Sequence, residues 1–286
     1  MRLLIVSLSV VIVISGCIQP EVTEMNAYWG NITESYSELK AEVMLDNPLP
    51  FLPLKDIEST VYINGIEIAQ GHAEKIETNK AILNMKIDNE RIRDLWVSHM
   101  KSNETSEMVI KVRTITDIFV TDIESSEKFT ETLKTDIFRM NIDDIEFKAA
   151  GKEIFAIEDI ELNRGEVSNL VTEVVMSSKL VNSGILDVEI TGIDYEITIN
   201  DVLAGKGSNN LDITVRTGET KDFEIVLFLD NKKIPEWWIK HLKNGERSKI
   251  LLKAKIYVRT GILEGAVIIE QEKTFTTNIA GSLTRI

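Results

Sequence analysis

The feature that most constrains this chain is that it repeats itself. The stretch RDLWVSHMKSNETSEMVIKV from Arg93 matches PEWWIKHLKNGERSKILLKA from Pro235 without a gap. Trp96 falls on Trp238, His99 on His241, Lys101 on Lys243, Glu104 on Glu246 and Ser106 on Ser248. Upstream, VYINGIEIAQG from Val61 matches ITINDVLAGKG from Ile197, placing Asn64 on Asn200 and Gly71 on Gly207. Earlier still, Gly30 falls on Gly165. The order is kept, with a small insertion between Gly207 and Pro235. Such repetition implies one domain built twice, and 286 residues suffice for two domains of ordinary size. The expected organisation is a leader over 1–17, a first domain over 18–147 and a second over 148–286.

Each copy reads as strand. Residues 193–199 and 250–258 alternate apolar and polar, the period of a half-buried strand. Asn64-Gly65 between two such runs is a strong hairpin signal, and Asn200-Asp201 takes its place in the second copy. Strand after strand at short spacing predicts antiparallel β-sandwiches. The exception is one short helix per copy. Pro235 suits a first helical turn, Glu236 its positive end, and Lys240, His241 and Lys243 its negative end, with Gly245 as a left-handed stop. Trp238 and Leu242 share a face of that helix, as do Trp96 and Met100.

The N-terminus gives an address. Arg2 precedes an apolar run over residues 3–14, too short to span a bilayer comfortably and suited to a secretory leader. Ile14-Ser15-Gly16-Cys17 then resembles a lipobox, and the only cysteine of the chain sits at its final position. We expect a prokaryotic, archaeal lipoprotein. Cys17 would carry the lipid, and the protein would be anchored to the cell membrane and face the extracytoplasmic side; the alternative is a leader kept as a signal anchor. Asn31 and Asn103 head Asn-x-Thr tripeptides that would be open to glycosylation there. A net charge of −14 argues against a nucleic-acid partner, which requires a basic patch.

Candidate chemistry is sparse. Trp96 and Trp238 hold matching positions in the two copies, as expected of rings that build a domain, and Trp237 has Leu95 as its counterpart, so bulk alone is expected to matter there. His99 and His241 read as helix C-terminal residues favoured by the dipole. His72 has no counterpart, because Ser208 follows Gly207. Residues 205–208, GKGS, lack the remaining elements of a phosphate loop. Asp143-Asp144 and Glu158-Asp159 are unremarkable among 46 acidic residues. No catalytic residue, cofactor or metal site is expected. If an enzyme were hidden here, polar groups would have to converge in one copy and not the other, and the longer stretch 208–233 is the place to look.

Residues 43–71, VMLDNPLPFLPLKDIESTVYINGIEIAQG, carry a resemblance. The apolar strand, Asn47-Pro48, the turn prolines Pro50 and Pro53, Asn64-Gly65 and the closing Gly71 resemble the late-embryogenesis-abundant type 2 family, also called the water-stress and hypersensitive-response (WHy) domain. The second copy keeps Asn182, Asn200 and Gly207 but has Ser183 in place of proline, so the first copy carries the fuller pattern. The resemblance implies fibronectin-type-III-like sandwiches, each with one helix, and a stress-related role without enzymatic activity. The expected function is a membrane-anchored, extracytoplasmic binding or scaffold protein in envelope or water-stress protection. The alternative is a carrier of lipids or other apolar ligands at the membrane surface.

Overall fold

The computed structural model describes residues 20–47, 54–117, 122–149, 152–261 and 263–282. The chain is mainly β, in antiparallel sheets that make two β-sandwich-like domains. The first series comprises β1 (Glu21–Ile32), β2 (Tyr36–Asp46), β3 (Leu54–Ile63), β4 (Ile66–Ile76), β5 (Lys80–Asp88), the helix α1 (Ile92–Lys101), β6 (Thr105–Asp117) and β7 (Asp122–Lys134). Its sheet runs β1-β2-β5-β4-β3-β6-β7. The second series comprises β8 (Met140–Ile142), β9 (Ile145–Ala149), β10 (Lys152–Val167), β11 (Val171–Asn182), β12 (Val188–Ile199), β13 (Val202–Val215), β14 (Thr220–Asp230), the helix α2 (Ile234–Lys243), β15 (Arg247–Thr260) and β16 (Leu263–Thr276). Here one sheet runs β14-β11-β10-β8, with β9 also on β10, and the other β13-β12-β15-β16. A short helix, α3 (Ile279–Ser282), follows.

The two orders are the same order. Strands β10, β11 and β14 stand where β1, β2 and β5 do, and β13, β12, β15 and β16 stand where β4, β3, β6 and β7 do. They differ in the β8 and β9 strands added on β10 and in one central ladder. In the first series β4 pairs with β5 from Ala69↔Ile87 to Ile76↔Ala81, which joins both halves into seven strands. The insertion noted in the sequence falls in β13 and β14, which are longer than β4 and β5 and lie in separate sheets. The stretch 208–233 is therefore regular strand, a β-turn and one 3-10 turn (Asn231–Lys233).

Alternation builds the cores. Along β2, Ser37, Leu39, Ala41, Val43 and Leu45 are buried and their neighbours are not. Along β15, Ser248, Ile250, Leu252, Ala254, Ile256 and Val258 do the same. Each large aliphatic side chain buried this way contributes about 1.5–3 kcal/mol. Both hairpins at the heart of the repeat have left-handed residues in the type I′ pattern: φ is 50° and 77° at Asn64 and Gly65, and 48° and 60° at Asn200 and Asp201.

By backbone contacts the described residues form two compact units. One comprises 20–95, 105–134 and 278–282, and the other 96–104 with 135–277. Residues 135–147 and the last two-thirds of α1, which the sequence reading grouped with the first copy, thus cluster with the second unit.

Candidate functional site

The C-terminal end of α2 organises a chain of buried and half-buried polar groups. Gly245 (φ 64°) and Glu246 (φ 59°) turn the backbone sharply out of the helix and into β15. Glu246 N donates to His241 O at 3.0 Å, closing the turn. Ser248 Oγ accepts from Trp237 Nε1 at 2.8 Å and from Asn200 Nδ2 at 3.1 Å. Neither donor can act as an acceptor through that nitrogen, so both oxygen lone pairs are taken. The serine hydroxyl is left to donate to His241 Nδ1, 2.8 Å away. His241 must then carry its proton on Nε2, an assignment made from this network. From Nε2 it donates to Thr277 Oγ1 at 2.8 Å, and Thr277 donates to Glu246 Oε2 at 2.7 Å.

The first copy repeats the far half of this chain. His99 Nε2 lies 2.8 Å from Thr135 Oγ1, which donates to Glu104 Oε2 at 2.8 Å, while Ile137 N donates to the same carboxylate oxygen at 2.5 Å. Asn64 Nδ2 donates to Ser106 Oγ at 2.9 Å, as Asn200 does to Ser248. Each hairpin asparagine also clamps the next strand. Asn64 Oδ1 accepts from Glu107 N at 3.0 Å and its own N–H donates to Glu107 O at 2.8 Å. Asn200 does the same with Lys249, at 2.9 and 3.0 Å.

These arrangements hold Ser, His and Glu together as a hydrolase would, yet they cannot meet a substrate. His241 is 0% exposed and Ser248 1%. Burial depresses His241 to a pKa of about 4, against a smaller opposing pull from Glu246, and burial lowers His99 too. Both rings are neutral at neutral pH. The expected gain from the helix dipole is absent, because each imidazole is buried and neutral while Lys101 and Lys243 at the same helix ends stay exposed.

The tryptophans are likewise core. Trp96 and Trp238 are each 4% exposed, and Trp237 5%. In the second unit Trp96 stands edge-on to Phe138 (centroids 5.9 Å apart, 89°) and to Trp237 (5.3 Å, 69°). Its Nε1 donates to Thr172 Oγ1 at 3.0 Å, and Thr172 donates to the buried Asn231 Oδ1 at 2.8 Å. Ser37 and Asn89 make the matching hydroxyl-to-amide bond in the first unit at 2.8 Å. Trp96 matches Trp238 in the repeat, and its ring packs among residues of the second unit. Trp237 is more than bulk, since its nitrogen fixes the donor order at Ser248.

The remaining residues named from sequence are placed as follows. Cys17 and Pro48 lie outside the described residues. Asn31 and Asn103 are exposed, Asn31 at the end of β1 and Asn103 in the left-handed turn after α1. Asn47 directly follows β2. Its second-copy counterpart Asn182 is buried at the end of β11, donates to Leu186 O (2.8 Å) and Val215 O (3.0 Å), and accepts from Gly184 N (3.0 Å), so it holds the following loop. Gly71 permits close passage of β5, because a Cβ there would stand 2.5 Å from Asn84 O and also against Met85. At Gly207 a Cβ would stand 2.7 Å from the hydroxyl of Tyr195.

Among the described residues, one convergent group of ligating side chains is open to solvent, with His72 exposed and Asp56 and Glu58 half-buried. Asp56, Glu58 and His72 each offer a ligand atom, and these atoms all lie within 4.8 Å of one another. His72 Nδ1 is 3.8 Å from Asp56 Oδ2. His72 has no counterpart among the histidines of the repeat, so sequence alone does not connect it to this group. The signal that finds it is register: Glu58 sits directly across from His72, and Asp56 is two residues along on the same face.

A family model described as late embryogenesis abundant protein matches residues 179–272. That segment runs from β11 into β16 and contains Asn182, Asn200, Gly207 and Trp238. The match falls on the second copy, although the fuller proline pattern is in the first. Among curated proteins, none matches the chain. A protein of known crystal structure from Archaeoglobus fulgidus is 29% identical over 43% of this chain and 98% of its own, with a TM-score of 0.41. A β-glucuronidase of Bacteroides uniformis is 10% identical over 91% of this chain, which spans only 32% of that enzyme, with a TM-score of 0.27. At these TM-scores neither likeness bears on activity.

Proposed function

We propose that the chain is a lipid-anchored, extracytoplasmic protein made of two tandem domains of the late-embryogenesis-abundant type 2 kind. It works by binding or scaffolding, without catalysis, in protection of the cell envelope under water stress. The observation that carries this reading is the fate of the repeated polar residues. The histidine and glutamate present in both copies are buried, and in each copy a half-buried threonine bonds them together, so their chemistry is used to hold the chain around each helix end. A family match over residues 179–272 supports the class. The only cysteine, Cys17 behind its apolar leader, supports the anchor. The acidic balance keeps such a surface soluble and away from nucleic acid. Inward side chains such as Leu39, Val43, Ile190, Ile197, Leu227 and Ile256 are buried against their neighbours, which favours a scaffold over a carrier with a hollow interior.

The test is a deletion strain of the encoding organism, complemented with wild-type protein or Cys17→Ser and then dried. Wild type is expected to fractionate with membranes and restore survival, and Cys17→Ser to do neither. Survival that is indifferent to the gene sinks the stress reading. Cys17→Ser protein that stays with the membrane sinks the anchor.

A further inference from the structure

We propose that Asp56, Glu58 and His72 form a binding site for a first-row divalent cation, with Zn²⁺ the fitting ion. Two carboxylates and one imidazole are a donor set such an ion accepts, with water completing the shell on an exposed face. The strands deliver the set directly. Glu58 and His72 are partners across the β3–β4 ladder, and Asp56 projects from the same side of β3. A register shift between Leu54 and Asp56 in the β3–β6 ladder marks a bulge beside Asp56, a device that re-aims a side chain.

Both carboxylates are already oriented from behind. Asp56 Oδ1 accepts from Ile57 N at 2.8 Å, and Oδ2 is the oxygen nearest the imidazole. Glu58 Oε2 accepts from Arg113 Nη1 at 2.9 Å. Arg113 is itself forked onto Glu124, through Nε at 3.2 Å and Nη2 at 2.5 Å. Its charge is therefore largely met by Glu124, and its contact with Glu58 acts as an outer-shell hydrogen bond that fixes a ligand.

The second copy supplies the internal comparison. Asp194 pairs with Ser208 across one ladder and with Lys255 across the other, as Glu58 pairs with His72 and Arg113. Gly192, beside the equivalent register shift, stands in the place of Asp56. Only one carboxylate of the three ligands is present there, and it is engaged by Ser208 and by Tyr257, whose hydroxyl donates at 2.6 Å. The convergence is in one copy alone, which is the pattern of a site and not of a structural repeat. His72 is well exposed, with 68% of its side-chain surface accessible, so replacing it does not threaten the fold.

The experiment is calorimetric titration of Zn²⁺ into the metal-stripped full chain, alongside His72→Ser, Asp56→Asn and Asp194→Asn. His72→Ser installs the residue that the second copy carries. Expected are one Zn²⁺ per chain, binding weakened by about tenfold or more in His72→Ser and in Asp56→Asn, and no change in Asp194→Asn. Absence of saturable binding in the wild type, or binding that His72→Ser and Asp56→Asn leave intact, overturns the proposal.

Discussion

His241 Nδ1 accepts the hydroxyl proton of Ser248 across 2.8 Å, a direction fixed by the N–H groups of Trp237 and Asn200 and passed on through His241 Nε2 to Thr277 and Glu246. Because Ser248 already receives two N–H groups, a proton on Nδ1 would meet a hydroxyl with no lone pair free. Burial and this arrangement both keep the ring neutral.

That neutrality gives stability a pH dependence. The folded-state pKa of His241 is lowered to about 4, while in the unfolded chain it is about 6.5. The unfolded chain therefore takes up the proton first as pH falls. The contribution is fully present above about pH 6.5 and is lost as pH drops toward 4, at an order of 3 kcal/mol for this ring. His99, lowered by burial, acts in the same direction. Urea midpoints followed from pH 7.5 to 4.5 should fall in the wild type and fall less steeply in His241→Gln. Parallel slopes for the two proteins would contradict the assignment.

The paired tryptophans can be separated by what they lose. Trp238→Ala removes a buried ring and should cost about 3–5 kcal/mol in chemical denaturation. Trp237→Phe keeps most of the volume but abandons Ser248, and should cost about 1–2 kcal/mol. A Trp237→Phe protein as stable as the wild type would return Trp237 to the role of bulk alone.

The hairpin asparagine performs two jobs that substitution can divide. Asn200→Gly keeps the left-handed backbone and loses the bonds to Ser248 and Lys249, at about 1–2 kcal/mol. Asn200→Ala should cost about 1 kcal/mol more, since alanine pays the left-handed penalty as well. Equal stability of the two variants would mean that the turn geometry does not matter.

Much of this was legible in the sequence, for a physical reason. A hairpin with Asn-Gly and a helix bounded by Pro235 and Gly245 are local events, decided by residues within a few positions. Both formed as read. The repeated order of Trp, His, Glu and Ser likewise predicts a repeated architecture, and the strands of the two series follow the same order. What could not be read was the meeting of distant residues. Thr277 reaches His241 from the end of β16, Thr135 reaches His99 from the end of β7, and Trp96 bonds to Thr172. His72 looked solitary because its partners come from a neighbouring strand, and only the β3–β4 register reveals them.

Gly71 tests the register itself. Gly71→Ala would place a methyl group 2.5 Å from Asn84 O, and backbone cannot yield as a side-chain tip can. A loss of about 1–3 kcal/mol is expected in denaturation of the full chain. Gly65→Ala meets no atom within 4 Å but has a φ of 77°, so its cost comes from backbone strain alone. If Gly71→Ala proves no worse than Gly65→Ala, the close passage of β5 is not a constraint.

The most direct test of the proposed anchor is the mass of the N-terminal peptide of the protein recovered from membranes of the organism that encodes it. Lipid anchoring at Cys17 requires a peptide that begins at Cys17 and carries the added mass of a lipid, two chains being needed for stable attachment. A peptide that begins at Met1 with an unmodified Cys17 would contradict it and leave the leader as a retained anchor.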